Sequence, residues 1–479
     1  MSATSEQETT KEVGALRGGV LGGVGIVFFV VAAAAPLAAV TGTSPIVFQG
    51  VTIGAPGMFL AAGLVCLLFA VGYAAVSRHI TSAGGFAAYI ARLLSPRTGA
   101  GFAFVAIASY SASLIAVYGL FGSIAHEVFA AVIGIELPWQ IWTFATLAIV
   151  AILGYFEIRV ANRVLGVLLI AEIVFLAVLA TGILVHGGAE GMNLDSFIPS
   201  NIVSGAPGMA FMLAFLAFLG FEATALYGEE TRNPKRTVPV ATYAAVIIIT
   251  VLYAASTWAI ALGWGSSEVA NAAANDPANF VFTTSERYLG TPFTNAMQLL
   301  VVLSFFATLL SIHSALSRYV FSLGRDRILP AAVGKTHHRF RSPHVASIVE
   351  SLLCLSILGL FVLYGAAPID VIFSWLSGVA SVGIIVTEAV VSVGVIVFFR
   401  RTRLDTRLWH SLIAPASAVV VLCGAEYLAL ANYRELAGVD SSWVLALPAT
   451  LPLVFVIGYS ISTRRERSGF RSYGSTIDT

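Results

Sequence analysis

Two carboxylates stand where the surrounding chain offers them no water. In FLAFLGFEATALYGEETRNPKRTVP, residues 215–239, Glu222 follows Gly220 inside an apolar run, and Glu172 sits in the equally apolar ANRVLGVLLIAEIV, residues 161–174. A carboxylate near a bilayer centre costs about 3 kcal/mol on insertion scales, so such a group faces a cavity or a partner. Beside a glycine that frees the backbone, Glu222 can bond the amides of an interrupted helix, meet the ammonium of a solute, or exchange a proton. Glu222, Glu172 and His313 are the candidates for proton exchange. For His313, about one turn before Arg318, the plainer reading is a packing or interfacial histidine. Glu388 and Glu426 are further acids in apolar segments and read first as structural groups. Phe218 adjoins Gly220 and is the best candidate for a gate; Phe221, Tyr110 and Trp375 are candidate lining aromatics that would otherwise be core.

These residues need helices at membrane depth to position them, and the composition supplies that setting. The chain has 479 residues, 58% hydrophobic and 11% charged, with mean hydropathy +0.89. Soluble domains are roughly 45–50% apolar. Apolar segments of about 20 residues, each enough for a hydrocarbon core of about 30 Å, recur twelve times. Their limits fall near 20–47, 54–77, 99–132, 140–158, 164–186, 205–228, 239–264, 293–321, 343–364, 368–399, 408–431 and 442–463. The sequence therefore predicts an all-α, polytopic membrane protein with short connections, the longest of them an outer loop over about 265–292. GAPGMF at Gly54 and GAPGMA at Gly205 are read as similar helix starts at spans 2 and 6.

The basic residues fix the orientation. Lys11, Arg17, Arg78, Arg92, Arg97, Arg159, Arg163, Arg232, Lys235 and Arg236 fall on one side, as do the clusters at 318–341, 400–407 and 464–471. That places 24 of the 26 Lys and Arg together and leaves Arg287 and Arg434 opposite. By the positive-inside rule both termini are cytoplasmic, a 1–19 tail and a 464–479 tail. The polar start MSATSEQETTKEV has no cleavable signal pattern, so the first apolar segment is expected to stay as a span.

Other classes of function find little support. A net charge of +1 gives no electrostatic reason for a nucleic-acid partner. Cys66, Cys354 and Cys423 all lie within spans, which implies neither a disulfide framework nor a metal site. Gly334-Lys335-Thr336 ends like a phosphate-binding loop, but Leu329 stands where its first glycine belongs. Neither HExxH nor GxSxG occurs, which argues against a hydrolase. No cofactor is expected.

Two spans carry helix-breaking residues in the middle. Span 1 reads GGVLGGVGIVFFVVAAAAPLAAVTGTSP. Proline has no amide donor and suits a first helical turn, so a helix reaching Val31 is expected to open over Ala32, Ala33, Ala34 and Ala35 and restart at Pro36 and Leu37. Span 6 is expected to open around Leu219 and Gly220, with Phe218 and Phe221 beside the break as candidate site residues. Unwound backbone is tolerated at membrane depth only where protein or a water-filled cavity satisfies it, and a pair of broken spans in corresponding positions marks a solute site.

The GFE followed by EETRNPKRTVP, the AGGFAAYIARLLSPRTGAGF from Ala83 and the SRYVFSLGRDRILP from Ser317 together resemble the amino acid, polyamine and organocation (APC) permease superfamily. The resemblance covers spans 1 to 10, about four fifths of the chain. It implies the leucine-transporter-like fold: inverted repeats over 20–186 and 205–399, with 408–463 added as spans 11 and 12. It also implies a substrate held between spans 1 and 6, and alternating access. Three positions depart from the family pattern. AAAAP replaces a glycine-rich break, Glu172 stands where many sodium-independent relatives have lysine, and His313 stands where asparagine is usual.

The expectation is then a permease of the bacterial cytoplasmic membrane that imports amino acids with protons. Its partners are a small-molecule substrate, an amino acid or amine, with the coupling ion and the lipid bilayer. Amides near Pro36 and Leu37 would hold a carboxylate, and carbonyls near Val31 to Ala33 and Phe218 would hold an ammonium. Glu172 and Glu222 together keep an amine or polyamine carrier open. A non-transporting sensor or scaffold would need no such cavity. The particular substrate, the choice between proton and sodium, and the oligomeric state are not legible.

Overall fold

Why the chain folds as it does begins with proline and glycine. In the computed structural model, described over residues 23–80, 85–156, 160–225, 231, 233–340, 342–439 and 441–467, the regular elements are all helical. The tail residues Lys11, Arg17 and Arg471, together with Ala83, Arg159, Glu229, Glu230, Arg232 and Arg341, lie outside the described residues. Prolines open helix after helix in the first turn, where the missing amide costs nothing. The first interrupted span is α1 (Gly23–Ala34), α2 (Pro36–Gly42) and α3 (Ser44–Val51). Then come α4 (Ala55–Ser77), α5 (Gly85–Leu93), α6 (Pro96–Ile133), α7 (Trp139–Phe156) and α8 (Val160–Val185). After a short α9 (Pro207–Leu216) follow α10 (Pro234–Trp264), α11 (Val269–Asn275), α12 (Phe280–Leu289) and α13 (Thr291–Arg325). The chain continues as α14 (His344–Leu363), α15 (Ser374–Thr402), α16 (Ala414–Ala431), α17 (Tyr433–Ala437) and α18 (Thr450–Arg467).

Among the described residues, eleven helical stretches are long and apolar enough to cross a bilayer, so the protein is a multi-pass membrane protein. The apolar segment expected over 205–228 is not one of them. It forms the ten-residue α9, a turn, and a single 3₁₀ stretch, Phe221–Ala225. The outer connection over 265–292 also differs from the expected loop: α11 and α12 form there. Val269, Ala273, Phe280, Val281 and Phe282 give these helices a buried face, against α3 for α11 and against α13 for α12.

The core is organised by α6 and α10. The 38-residue α6 is about 57 Å long at 1.5 Å per residue. It is capped by Ser95, whose hydroxyl accepts from the Thr98 amide at 3.1 Å, and it ends at Gly134 with φ 70°. It packs against α5, α7, α13, α15 and α18. Helix α10 packs along α4 and also touches α1 and α8. Small residues permit these approaches, as they must where lipid gives helices no hydrophobic drive to associate. A side chain at Gly63 would collide with Thr250 of α10, and one at Gly383 with Ser109 of α6. The result holds α1 between α8, α10 and α13, and sets the 3₁₀ stretch of the sixth segment against α1, α5 and α10.

Candidate functional site

The first interruption is narrower than the sequence suggests. Helix α1 runs through Ala32, Ala33 and Ala34, and the break falls on Ala35 alone, at φ 40° and ψ 76°. The Ala35 amide still reaches the carbonyls of Val31 and Ala32, both at 3.1 Å, so α1 stays closed to its last residue. Left-handed backbone costs an L-residue about 1–2 kcal/mol, and Pro36 enforces the restart because it cannot continue the ladder of α1. The amides that begin α2 are occupied: Leu37 donates to the Glu172 carboxylate of α8 at 3.2 Å, and Ala38 to the Ser304 hydroxyl of α13 at 3.3 Å. Glu172 is buried, 2% exposed. Its place is that of an anion at a helix N-terminus, where the dipole and free amides favour negative charge.

The second interruption is built on glycine. After α9, the Phe218 amide bonds Phe215 and the Leu219 amide bonds Leu216 in tight turns. Gly220 then adopts φ 106°, which only glycine takes readily. Its amide donates to the carboxylate of Glu222, two residues on, at 3.0 Å. Tyr110 of α6 donates its hydroxyl to the other oxygen of the same carboxylate. Glu222 is 3% exposed. A buried carboxylate with two donors is a satisfied acceptor.

One side chain joins the two interruptions. The Tyr253 hydroxyl of α10 lies 2.8 Å from the Ala34 carbonyl at the end of α1 and 2.9 Å from the Ala217 carbonyl at the end of α9. Phe218 packs edge-on to the Tyr253 ring, with centroids 5.5 Å apart. The two carbonyl ends thus converge on a point now held by a hydroxyl. Next to Glu222 the molecule is sealed by aromatics. Tyr73 donates to the Glu222 carbonyl at 2.9 Å, and Phe221, Phe69, Phe86 and Tyr89 pack around Tyr73 and Phe69 at 5.1–6.0 Å. Tyr319 of α13 accepts from the Ala87 amide of α5 at 2.8 Å, closing the same end.

Val31, Ala32, Ala35, Pro36, Leu37, Phe218, Gly220, Phe221, Glu222, Tyr110 and Glu172 are therefore gathered at the two interruptions; Leu219 lies in the second turn. Other candidates are placed elsewhere. His313 is bonded through Nε2 to Ser347 of α14 at 2.8 Å and packs against Gly154 of α7. Trp375 donates to the Ala437 carbonyl of α17 at 3.0 Å and meets Trp443 edge-on, so it serves the α15–α17 contact. Glu426 lines a separate apolar cavity of about 490 Å³ with Phe102, Val105 and Phe455. Glu388 of α15 lines a gap too tight for water beside Phe215, Phe218 and Phe221.

Tyr253 and Glu350 were not singled out from the sequence. Glu350 of α14 is 2% exposed and approaches Ser111 of α6 at 3.5 Å and Cys354 at 3.4 Å. Its signal was available: it is the one Asp, Glu, Lys or Arg in the apolar α14. Tyr253 gave none, because an aromatic in an apolar segment reads as core.

Comparison with known proteins bears on the family and the fold. The model of the amino acid permease family matches residues 18–457. A methylthioribose transporter of Bacillus subtilis (strain 168) is 26% identical over 458 residues, 88% of each chain. A branched-chain amino acid permease of the same organism is 25% identical over 65% of this chain and 69% of its own. An uncharacterized transporter of Rhizobium meliloti (strain 1021) is 33% identical over 273 residues; there this chain spans about half of the relative, 55%. The crystal structure of a mutant manganese transporter of Eremococcus coleocola superposes with TM-score 0.58 at 12% identity, covering 96% of this chain and 99% of that one. At that identity the likeness shows the fold alone. The family match runs over nearly the whole sequence, and this chain belongs to the amino acid permease family of the APC superfamily.

Proposed function

We propose that this protein is a secondary active transporter that imports amino acids across a bacterial cytoplasmic membrane by alternating access, driven by inward proton movement. One observation carries the reading: two interrupted helices present their carbonyl ends to the single Tyr253 hydroxyl, with Glu222 and Glu172 on the adjoining amides. A zwitterion needs both kinds of partner. Its ammonium takes the place of the Tyr253 hydroxyl at the Ala34 and Ala217 carbonyls, and its carboxylate takes the Leu37 and Ala38 amides once Glu172 withdraws. Phe218 and the aromatics around Tyr73 close the site. Glu222 is the acid that exchanges the proton as the turn around Gly220 opens and shuts. The spans divide as 20–186 and 205–399, with 408–463 appended; the α9 segment counts as the twelfth, and both termini lie in the cytoplasm.

A second reading is favoured by the same contact. With Glu172 already on the Leu37 amide and Glu222 on the Gly220 amide, the site holds two acids and a pair of carbonyls, which suits an amine without a carboxylate. Glu172→Ala separates the two. It frees the Leu37 amide, so an amino acid is expected to bind more tightly by roughly tenfold if a single charge-assisted hydrogen bond, about 1.5 kcal/mol, is released to it. An amine is expected to bind more weakly, because it loses an acid. The measurement is a thermal-shift titration of purified wild type and variant against amino acids and aliphatic amines, since a ligand of the folded state raises its apparent stability. Energy coupling is tested in proteoliposomes: Glu222→Gln is expected to keep substrate exchange and lose accumulation driven by a proton gradient. Uptake by the wild type that follows sodium and ignores a proton gradient would dispose of proton coupling.

A further inference from the structure

Glu388 is the acid that the site as described leaves unused. It sits at the middle of α15 at 0% exposure, and neither of its oxygens has a hydrogen-bond partner. Around it are the side chains of the second interruption, Phe215, Leu216, Phe218, Leu219 and Phe221, with Ser381 and Ile384 of its own helix. Three titratable groups lie within electrostatic range of it: Glu222 of the turn, and Cys66 and Tyr73 of α4. None of them carries a positive charge. A carboxylate anion that is buried, unpaired and without hydrogen bonds is not tolerated, so the group neutralises by taking a proton. Glu222 is its opposite. It accepts from the Gly220 amide and from the Tyr110 hydroxyl, a setting that suits the ionised form. Two neighbouring carboxylates with unlike surroundings divide the roles of acid and base between them.

We propose that Glu388 and Glu222 form a proton-sharing pair whose proton sits on Glu388 while the turn at Gly220 is closed. The seat is made by the turn itself, because Phe215, Phe218 and Phe221 are what keep water from Glu388. When the turn opens, water reaches the pair: the proton passes from Glu388 to the Glu222 carboxylate, and Glu222 releases it to the solvent as hydronium, leaving two carboxylates. When the turn opens to the other side, Glu222 takes a proton back from water and closure returns it to Glu388. This deepens the proton-coupled reading and rests on it.

Two measurements test the proposal. Infrared spectroscopy of the purified wild type in lipid, near neutral pH, is expected to show a component of the protonated carboxylic acid band that Glu388→Gln lacks and Glu222→Gln keeps. Glu350 is buried too and Glu426 lines an apolar cavity, and both can add to that band. The reading is therefore the component lost on substitution: a band of undiminished intensity in Glu388→Gln overturns the assignment of the seat. In proteoliposomes the probes are a radiolabelled amino acid mixture and a radiolabelled aliphatic diamine. An inward gradient of one pH unit supports about tenfold accumulation per coupled proton. Glu388→Gln, and Glu388→Leu as an apolar replacement of similar size, are expected to lose that tenfold accumulation while keeping exchange of labelled for unlabelled probe. Accumulation undiminished in both Glu388 variants but lost in Glu222→Gln overturns the pair and leaves proton coupling through Glu222 standing. A wild type indifferent to the proton gradient overturns the coupling reading and the pair with it.

Discussion

The two interruptions solve one problem by different means. At Ala35 an alanine is held left-handed, and the amides that follow are capped from two other helices, Glu172 lying 135 residues away and Ser304 266 residues from Ala38. At Gly220 the residue is suited to its backbone, and the cap comes from Glu222 only two residues on. The first break is imposed by tertiary packing; the second is a local motif that packing merely houses. A locally encoded turn can move as a unit without losing its own cap. The first break cannot move relative to α8 without giving up the Glu172 contact. The sixth segment is thus free to shift with its cap in place, whereas any displacement of the first segment from α8 breaks the Glu172 contact.

The largest effect should come from breaking the local motif. Gly220→Val places a β-branched residue at φ 106°, a conformation that costs roughly 1–3 kcal/mol if the backbone holds and that valine is nearly forbidden to adopt. The turn is therefore expected to rebuild. Substrate affinity of the purified variant should fall by at least about tenfold, the equivalent of 1.4 kcal/mol, while the yield of folded protein falls much less. Unchanged affinity would place the binding site away from Gly220.

A smaller loss is expected where the two interruptions meet. Tyr253→Phe removes the one hydroxyl near both the Ala34 and Ala217 carbonyls. Leaving a buried acceptor unmet costs about 1–3 kcal/mol, so the apparent melting temperature should drop. Amide hydrogen exchange should quicken over both 31–38 and 215–222. Quickening confined to one of them would show that the hydroxyl serves a single helix end and that the breaks are not joined through it.

How much of this the sequence carried follows from the same contrast. The helical, membrane-spanning class was legible from hydropathy alone, since apolar runs of span length admit few other folds. The second interruption was legible too: glycine, carboxylate and cap all lie within Gly220 to Glu222. At the first site the proline announced a restart, but four alanines gave no hint of which would turn left-handed, and the position was expected to be spread over Ala32 to Ala35. The partner of the Leu37 amide could not be read, because a pairing between α2 and α8 exists only after both helices have packed. Tyr253 was hidden for that reason, and Trp375 was overvalued for the opposite one: its aromatic character is real but is spent on α17. The helices over 269–289 escaped notice because small and polar residues masked a short apolar stripe.

The smallest effect tests the first interruption by its sign. Ala35→Gly relieves left-handed strain of about 1–2 kcal/mol. It gives back roughly 0.5–1 kcal/mol in unfolded-state entropy and about 0.8 kcal/mol for one buried methyl group. These terms nearly cancel, so the variant should melt close to the wild type. Its neighbour Ala34, the last residue of α1, lies in right-handed helix and is also buried, so Ala34→Gly has no strain to relieve and should lose the methyl group and up to about 1 kcal/mol of helix propensity. The comparison is internal: two adjacent alanines, the same substitution, and a difference in stability that reports the strain alone. Thermal melts of the two variants in the same detergent measure it. Equal losses in both would mean that Ala35 is not left-handed and that the first helix is interrupted elsewhere.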